Sequence, residues 1–166
     1  MTEIGPFDWT RALYTLTDGG VRFVLIGGVA ARILGSPSIT RDLDVCYARD
    51  RKNLETLATV LQGLHARLRG ASEHVPFRLD ARTLAAGDSF TFMTDLGDLD
   101  VLATPSGTQG FDDLVKDATS VEIGGRTVLV ASIDDLIRMK LAAGRLKDIA
   151  EVDILGALRE ELAPYG

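Results

Sequence analysis

Val24-Leu25-Ile26-Gly27-Gly28, followed after residues 29–39 by Thr40-Arg41-Asp42-Leu43-Asp44-Val45, is the stretch that decides how this chain is read. Val21 to Ile26 is an unbroken apolar run, which suits a strand buried on both faces. Gly27-Gly28 reads as a tight turn with bare backbone N–H groups, and Val29 to Leu34 as a short helix behind it. Gly35-Ser36-Pro37-Ser38 stops that helix. Asp42 to Tyr47 reads as a second strand, in which alternation puts Asp42 and Asp44 on one face and Leu43 and Val45 on the other. Two carboxylates this close repel unless a cation lies between them, and a divalent metal is the usual answer. The glycine turn upstream is a natural seat for an anionic phosphate.

The alternation recurs. Phe90 to Thr94, then Asp95-Leu96-Gly97, then Asp98 to Ala103 read as a hairpin, with Asp98 and Asp100 on one face of its second arm. A solvated strand face alternates in the same way, but two copies, one of them behind Gly-Gly, favour a site. Metal carboxylates plus a phosphate cradle suggest chemistry on a nucleoside triphosphate, where two metal ions about 4 Å apart can activate a hydroxyl and neutralise a leaving phosphate group. Asp42 and Asp44 are the expected metal holders. Asp100 is the expected third acid, orienting the nucleophile's metal or accepting its proton. Asp98, nearer the turn, is the reserve.

A hydrophobic residue, Gly-Gly, a spacer and acid-hydrophobic-acid-hydrophobic resemble the signature of the DNA polymerase β-like nucleotidyltransferase superfamily. With Thr-Arg-Asp-Leu-Asp the chain is most similar to its small bacterial members, the minimal nucleotidyltransferases and the abortive-infection type nucleotidyltransferase toxins. The resemblance covers residues 20 to 155. It implies an α/β (α+β) fold, with a mixed twisted β-sheet flanked by helices and a short C-terminal helical segment. It implies Mg²⁺ or Mn²⁺ at a two-ion site and a nucleoside triphosphate as substrate. The acceptor is left open between tRNA, a protein and a small molecule, with an antitoxin or a second copy of the chain as further partners. The competing reading is a module of the same fold that binds nucleotide or a partner without turnover.

The expected nucleotide contacts are Gly27 and Gly28, with hydroxyls from Ser36, Ser38 and Thr40. Thr40 is the better placed of these, since it sits two residues before Asp42 and is expected on the same strand face. Arg41 points away from the acid face if the strand already begins there. Lys140, Arg145 and Lys147 form a local basic spot near the junction of two helices, and Lys as a point charge suits phosphate. By the resemblance, Lys140 and Lys147 contact nucleotide, while Arg145 and Asp148 flank it or brace the helices.

The composition is ordinary for a globular chain of 166 residues: 46% hydrophobic and 25% charged, with a net charge of −6. That charge argues against a general nucleic-acid coat. The single cysteine, Cys46, excludes an internal disulfide framework and fits a reducing cytoplasm. It is expected to be half-buried at the edge of the acid face. His65 and His74 are expected at the surface, and no zinc set is evident. No signal peptide or membrane span is read from the sequence, so a cytoplasmic location is expected.

A nucleotidyltransferase core is expected over 1–104, with a C-terminal hairpin and helices over 105–166 packed on it as a single compact domain. Further helices are expected from Asp8, from Lys52 to Leu64, from Asp80, from Phe111 to Ala118, from Ser132 to about Ala143, and from Leu146 to Leu162. Gly124-Gly125 marks a second hairpin. His65 to Pro76 has no clear period.

Overall fold

The computed structural model describes residues 7–70 and 76–163. Its helices are α1 (Trp9–Asp18), α2 (Gly27–Ile33), α3 (Arg51–Gly63), α4 (Ala81–Ala86), α5 (Phe111–Leu114), α6 (Ile133–Ala143) and α7 (Leu146–Leu162). Its strands are β1 (Phe23–Ile26), β2 (Asp42–Tyr47), β3 (Arg67–Leu68), β4 (Ser89–Thr94), β5 (Gly97–Leu102), β6 (Thr119–Ile123) and β7 (Arg126–Val130). The strands form one mixed sheet in the order β3-β4-β5-β2-β1-β7-β6. β1 runs parallel to β7, and β2 parallel to β5, while the other neighbours are antiparallel.

The β2–β5 pairing is the one that builds the site. In this register Asp42 lies beside Asp98 and Asp44 beside Asp100, so the two alternating acid segments share one face. On the opposite face Leu43, Val45, Tyr47, Leu99 and Val101 are buried. All four residues of β1 are buried, as its apolar run requires. α1 packs on β2 and β7 and beside α3, which in turn packs on α4. α6 packs against α7 and α2.

Side chains cap most helices where the sequence implies it. Asp8, Asp50, Asp80 and Ser132 accept backbone N–H groups at the starts of α1, α3, α4 and α6. Gly144 ends α6 in the left-handed conformation that glycine adopts without a Cβ penalty. α2 starts at Gly27, two residues before the expected Val29, so the glycines belong to the helix's first turn. α5 stops at Leu114 instead of running to Ala118. The segment from His65 holds the short strand β3, at the sheet edge against β4. His65 is exposed and pairs with Asp95 at 2.6 Å; His74 lies outside the described residues. Cys46 is fully buried, not half-buried, because the chain leaving β5 covers it and the Ala103 carbonyl lies 3.6 Å from its thiol. Burial pushes that thiol up to about 12. Among the described residues no helix is long and apolar enough to cross a membrane.

Asn53 locks the end of the sheet opposite the acids. Its Oδ1 accepts the Arg22 N–H at 2.7 Å, and its Nδ2 donates to the carbonyls of Arg22 (3.0 Å) and Ala48 (2.7 Å). Asn53→Ala would strand these backbone groups in a buried place. It should cost about 2–4 kcal/mol, measured by urea unfolding at constant m-value. A loss within experimental error would remove Asn53 from this role.

Candidate active site

The acid face opens into a cleft of about 800 Å³. Gly27 and Gly28, the segment from Ser38 to Asp42, Asp44, Asp100 and the facing turns of α6 and α7 line it. Asp42, Asp44 and Asp100 are all half-buried, and one carboxylate oxygen from each lies within 4.8 Å of the others. A hard, oxygen-only donor set at this spacing fits a divalent cation such as Mg²⁺ or Mn²⁺.

The two glycines are fitted to this cluster. Gly27 has a φ of +70°, and a Cβ there would run into the Asp44 carboxylate. A Cβ on Gly28 would come within 2.7 Å of Thr40. The turn therefore admits no side chain, because the acid and the following loop pack directly against its backbone. No side chain caps α2, so the first turn that begins at the cleft-lining Gly27 and Gly28 has no side-chain acceptor for its N–H groups.

The electrostatics match a site built for a cation. The Asp44 carboxyl is pushed up to about 8, by burial first and then by the charges of Asp42 and Asp100, with Lys140 pulling the other way. Asp100 is also raised by burial, opposed by the Arg69 guanidinium. A divalent cation bound among these groups would favour their ionised forms over the protonated ones.

The structure brings most expected residues to the cleft but gives several of them partners. Lys140 reaches in from α6, with its ammonium 3.5 Å from Asp148. Arg145 holds the other Asp148 oxygen at 2.8 Å. Burial raises Asp148, but Arg145 and Lys140 more than offset it and the carboxyl is lowered. Asp148 is thus an ionised brace between α6 and α7. Lys147 is exposed at the cleft rim.

The Thr40 hydroxyl donates to the Asp42 carbonyl at 3.1 Å and precedes the strand instead of lying on its face. The Ser38 hydroxyl donates to Glu151 of α7 at 3.1 Å. Ser36 is buried away from the cleft lining, where its oxygen accepts the Ser38 N–H, so it offers no nucleotide contact. The strand begins at Asp42, so Arg41 is not held to its reverse face, and it lines the cleft. Asp98 stands outside the three-acid cluster and pairs with Arg69 at 3.4 Å.

Two participants were missed in the sequence. Arg69 donates to Asp100 at 2.6 Å, but it sits in the segment without a period, and no spacing rule links it to an acid on β5. Glu151 lies on α7 one turn after Lys147 and Asp148, and nothing local marks its tie to Ser38.

No family model matches the chain, and no curated protein matches it in sequence. Solved structures do match its fold. The lincosamide antibiotic adenylyltransferase LnuA, bound to lincomycin, superposes with a TM-score of 0.61 at 13% identity, covering 90% of this chain and 95% of that one. A candidate nucleotidyltransferase from Thermotoga maritima gives 0.54 at 16% identity, covering 92% and 93%. The antibiotic-resistance factor ANT(2″)-Ia gives 0.56 at 14% identity, covering 91% and 80%. The chain has the nucleotidyltransferase fold.

The sign of the Asp44 shift sets a pH dependence. The unfolded chain gives up this proton near 3.8, while the metal-free folded protein keeps it to about 8. Its stabilising contribution is therefore full below pH 4 and is lost as pH rises towards 8. The carboxyls held low elsewhere (Asp18, Asp80, Asp113 and Asp148) are ionised in both states above about pH 5 and add no slope there. The metal-free Tm should fall from pH 5 to pH 8, and Mn²⁺ should restore it most at pH 8. Asp44→Asn should reduce both responses in calorimetry, leaving the slope that the raised Asp100 and Asp135 carboxyls contribute. An equal slope in that variant would refute the assignment.

Proposed function

We propose that the chain is a metal-dependent nucleotidyltransferase, moving a nucleoside monophosphate from a nucleoside triphosphate to an acceptor hydroxyl with release of pyrophosphate. The observation that carries this reading is the convergence of Asp42, Asp44 and Asp100 opposite the Gly27–Gly28 turn, with Lys140 across the cleft. The nucleotidyltransferase fold supports it.

Asp42 and Asp44 would hold Mg²⁺ or Mn²⁺, with Asp100 completing the set. When bound, a pair of such ions lowers the pKa of an attacking hydroxyl and neutralises the triphosphate oxygens. The Gly27 and Gly28 backbone lets the triphosphate approach without a side chain in the way, and Lys140 and Lys147 supply positive charge beside it. The acceptor oxygen attacks the α-phosphorus, and its proton passes to Asp100. The bond from the α-phosphorus to the β-phosphate's bridging oxygen breaks, and the electron pair leaves with pyrophosphate. Ser38, Glu151 and the Lys140–Asp148–Arg145 brace hold the loop, α6 and α7 around the cleft.

The test is transfer of label from each α-labelled ribonucleoside triphosphate to a component of a cell extract, with Mg²⁺ or Mn²⁺ present. Labelled tRNA or protein would fit a toxin, and a labelled small molecule a modifying enzyme. Asp44→Asn should reduce transfer by at least about 10³-fold and Lys140→Ala by about 10-fold or more, as expected for losing the metal seat and one phosphate charge respectively. Full transfer by Asp44→Asn would end the proposal.

A further inference from the structure

Among the described residues neither Asp42 nor Asp44 has an ion-pair partner, whereas Asp100 is held by Arg69. Arg69 follows β3 at the outer edge of the sheet, where its backbone N–H donates to the Thr91 carbonyl at 2.9 Å. Its side chain crosses β4 to reach β5. Nη2 donates to Asp100 Oδ1 at 2.6 Å and to the Phe92 carbonyl at 3.3 Å. Nε is buried 3.4 Å from Asp98 Oδ2 but has no aligned hydrogen bond to it. The strong bond of the fork therefore goes to Asp100, and Asp98 is the looser partner.

This arrangement is asymmetric in a useful way. Three carboxyl groups within 4.8 Å repel when ionised, and each gains by turning away from the others. A guanidinium fixed on one oxygen prevents that turn, because its planar fork is directional where a lysine ammonium is not. With Oδ1 committed to Arg69, Asp100 has one oxygen left for the cluster. We propose that Arg69 is the positioning residue of the site: it commits Asp100 to a single orientation, with one oxygen aimed at the centre shared with Asp42 and Asp44. The inference rests on the metal-dependent reading above, and it divides the three metal-holding acids into two without an ion-pair partner and one pinned by a guanidinium.

The test is Mn²⁺ titration of the full chain by electron paramagnetic resonance, which needs no acceptor. Wild type, Arg69→Ala, Arg69→Lys and Asp98→Asn are compared. Loss of a group that orients a metal ligand costs about 10–100-fold in affinity, so Arg69→Ala should weaken Mn²⁺ binding to that extent, with Arg69→Lys intermediate. Asp98→Asn should stay near wild type, because the Asp100 bond remains. A residue that only fastens the edge strand would instead make Arg69→Ala and Asp98→Asn alike. In the labelling reaction kcat should fall in Arg69→Ala while KM for the triphosphate stays unchanged. If Arg69→Ala does not fold, Arg69→Lys carries the comparison. Wild-type affinity in a folded Arg69 variant overturns the inference, whereas absence of Mn²⁺ binding by wild type overturns the metal-dependent reading itself.

Discussion

Like charges packed within 4.8 Å are the constraint on which the rest of this structure depends. Three carboxyl groups cannot all ionise there unless positive charge is supplied. The parallel pairing of β2 with β5 creates the problem, because it sets Asp44 beside Asp100 in register. Burial of the reverse face fixes it in place, since a one-residue slip of either strand would turn Leu43 or Leu99 outward. The sheet therefore maintains an electrostatic tension that only protons or cations relieve.

The surroundings are arranged to match. The glycine turn comes so close that a Cβ at Gly27 would displace the Asp44 carboxylate, and the opposite wall carries Lys140, Arg145 and Lys147. Lys140, Arg145 and Lys147 face the three clustered acids from the other wall, with Asp148 absorbing two of these positive charges in a brace instead of a direct pair with those acids. Such a separation leaves room for a polyanion with its counter-ions between the walls. Arg69 differs from these, since it approaches the acids from the sheet edge and, of the three, pairs only with Asp100.

The parts of this design governed by local periodicity were legible in the sequence. Alternation gave the acid faces of β2 and β5, the apolar run gave the buried β1, and the glycine hairpins and capping residues gave most element ends. What alternation cannot carry is which strands become neighbours. The adjacency of Asp44 and Asp100 was inferred from chemistry and from a family resemblance, not from the strand patterns themselves. Residues whose partners lie far along the chain were harder still. Arg69 meets Asp100 across 31 residues and Ser38 meets Glu151 across 113. Cys46 obeyed the alternation, yet its burial depends on the turn taken by the chain after β5. Ser36 and Ser38, alike in sequence, differ because one points into the loop and the other towards α7.

The central claim is that the three carboxyl groups share cations. The most direct measurement is anomalous diffraction from crystals grown with Mn²⁺ and a non-hydrolysable nucleoside triphosphate. The account predicts Mn²⁺ peaks bonded to Asp42, Asp44 and Asp100, with the triphosphate lying between the Gly27–Gly28 turn and Lys140. Peaks elsewhere on the protein, with none at these three carboxyl groups, would contradict it.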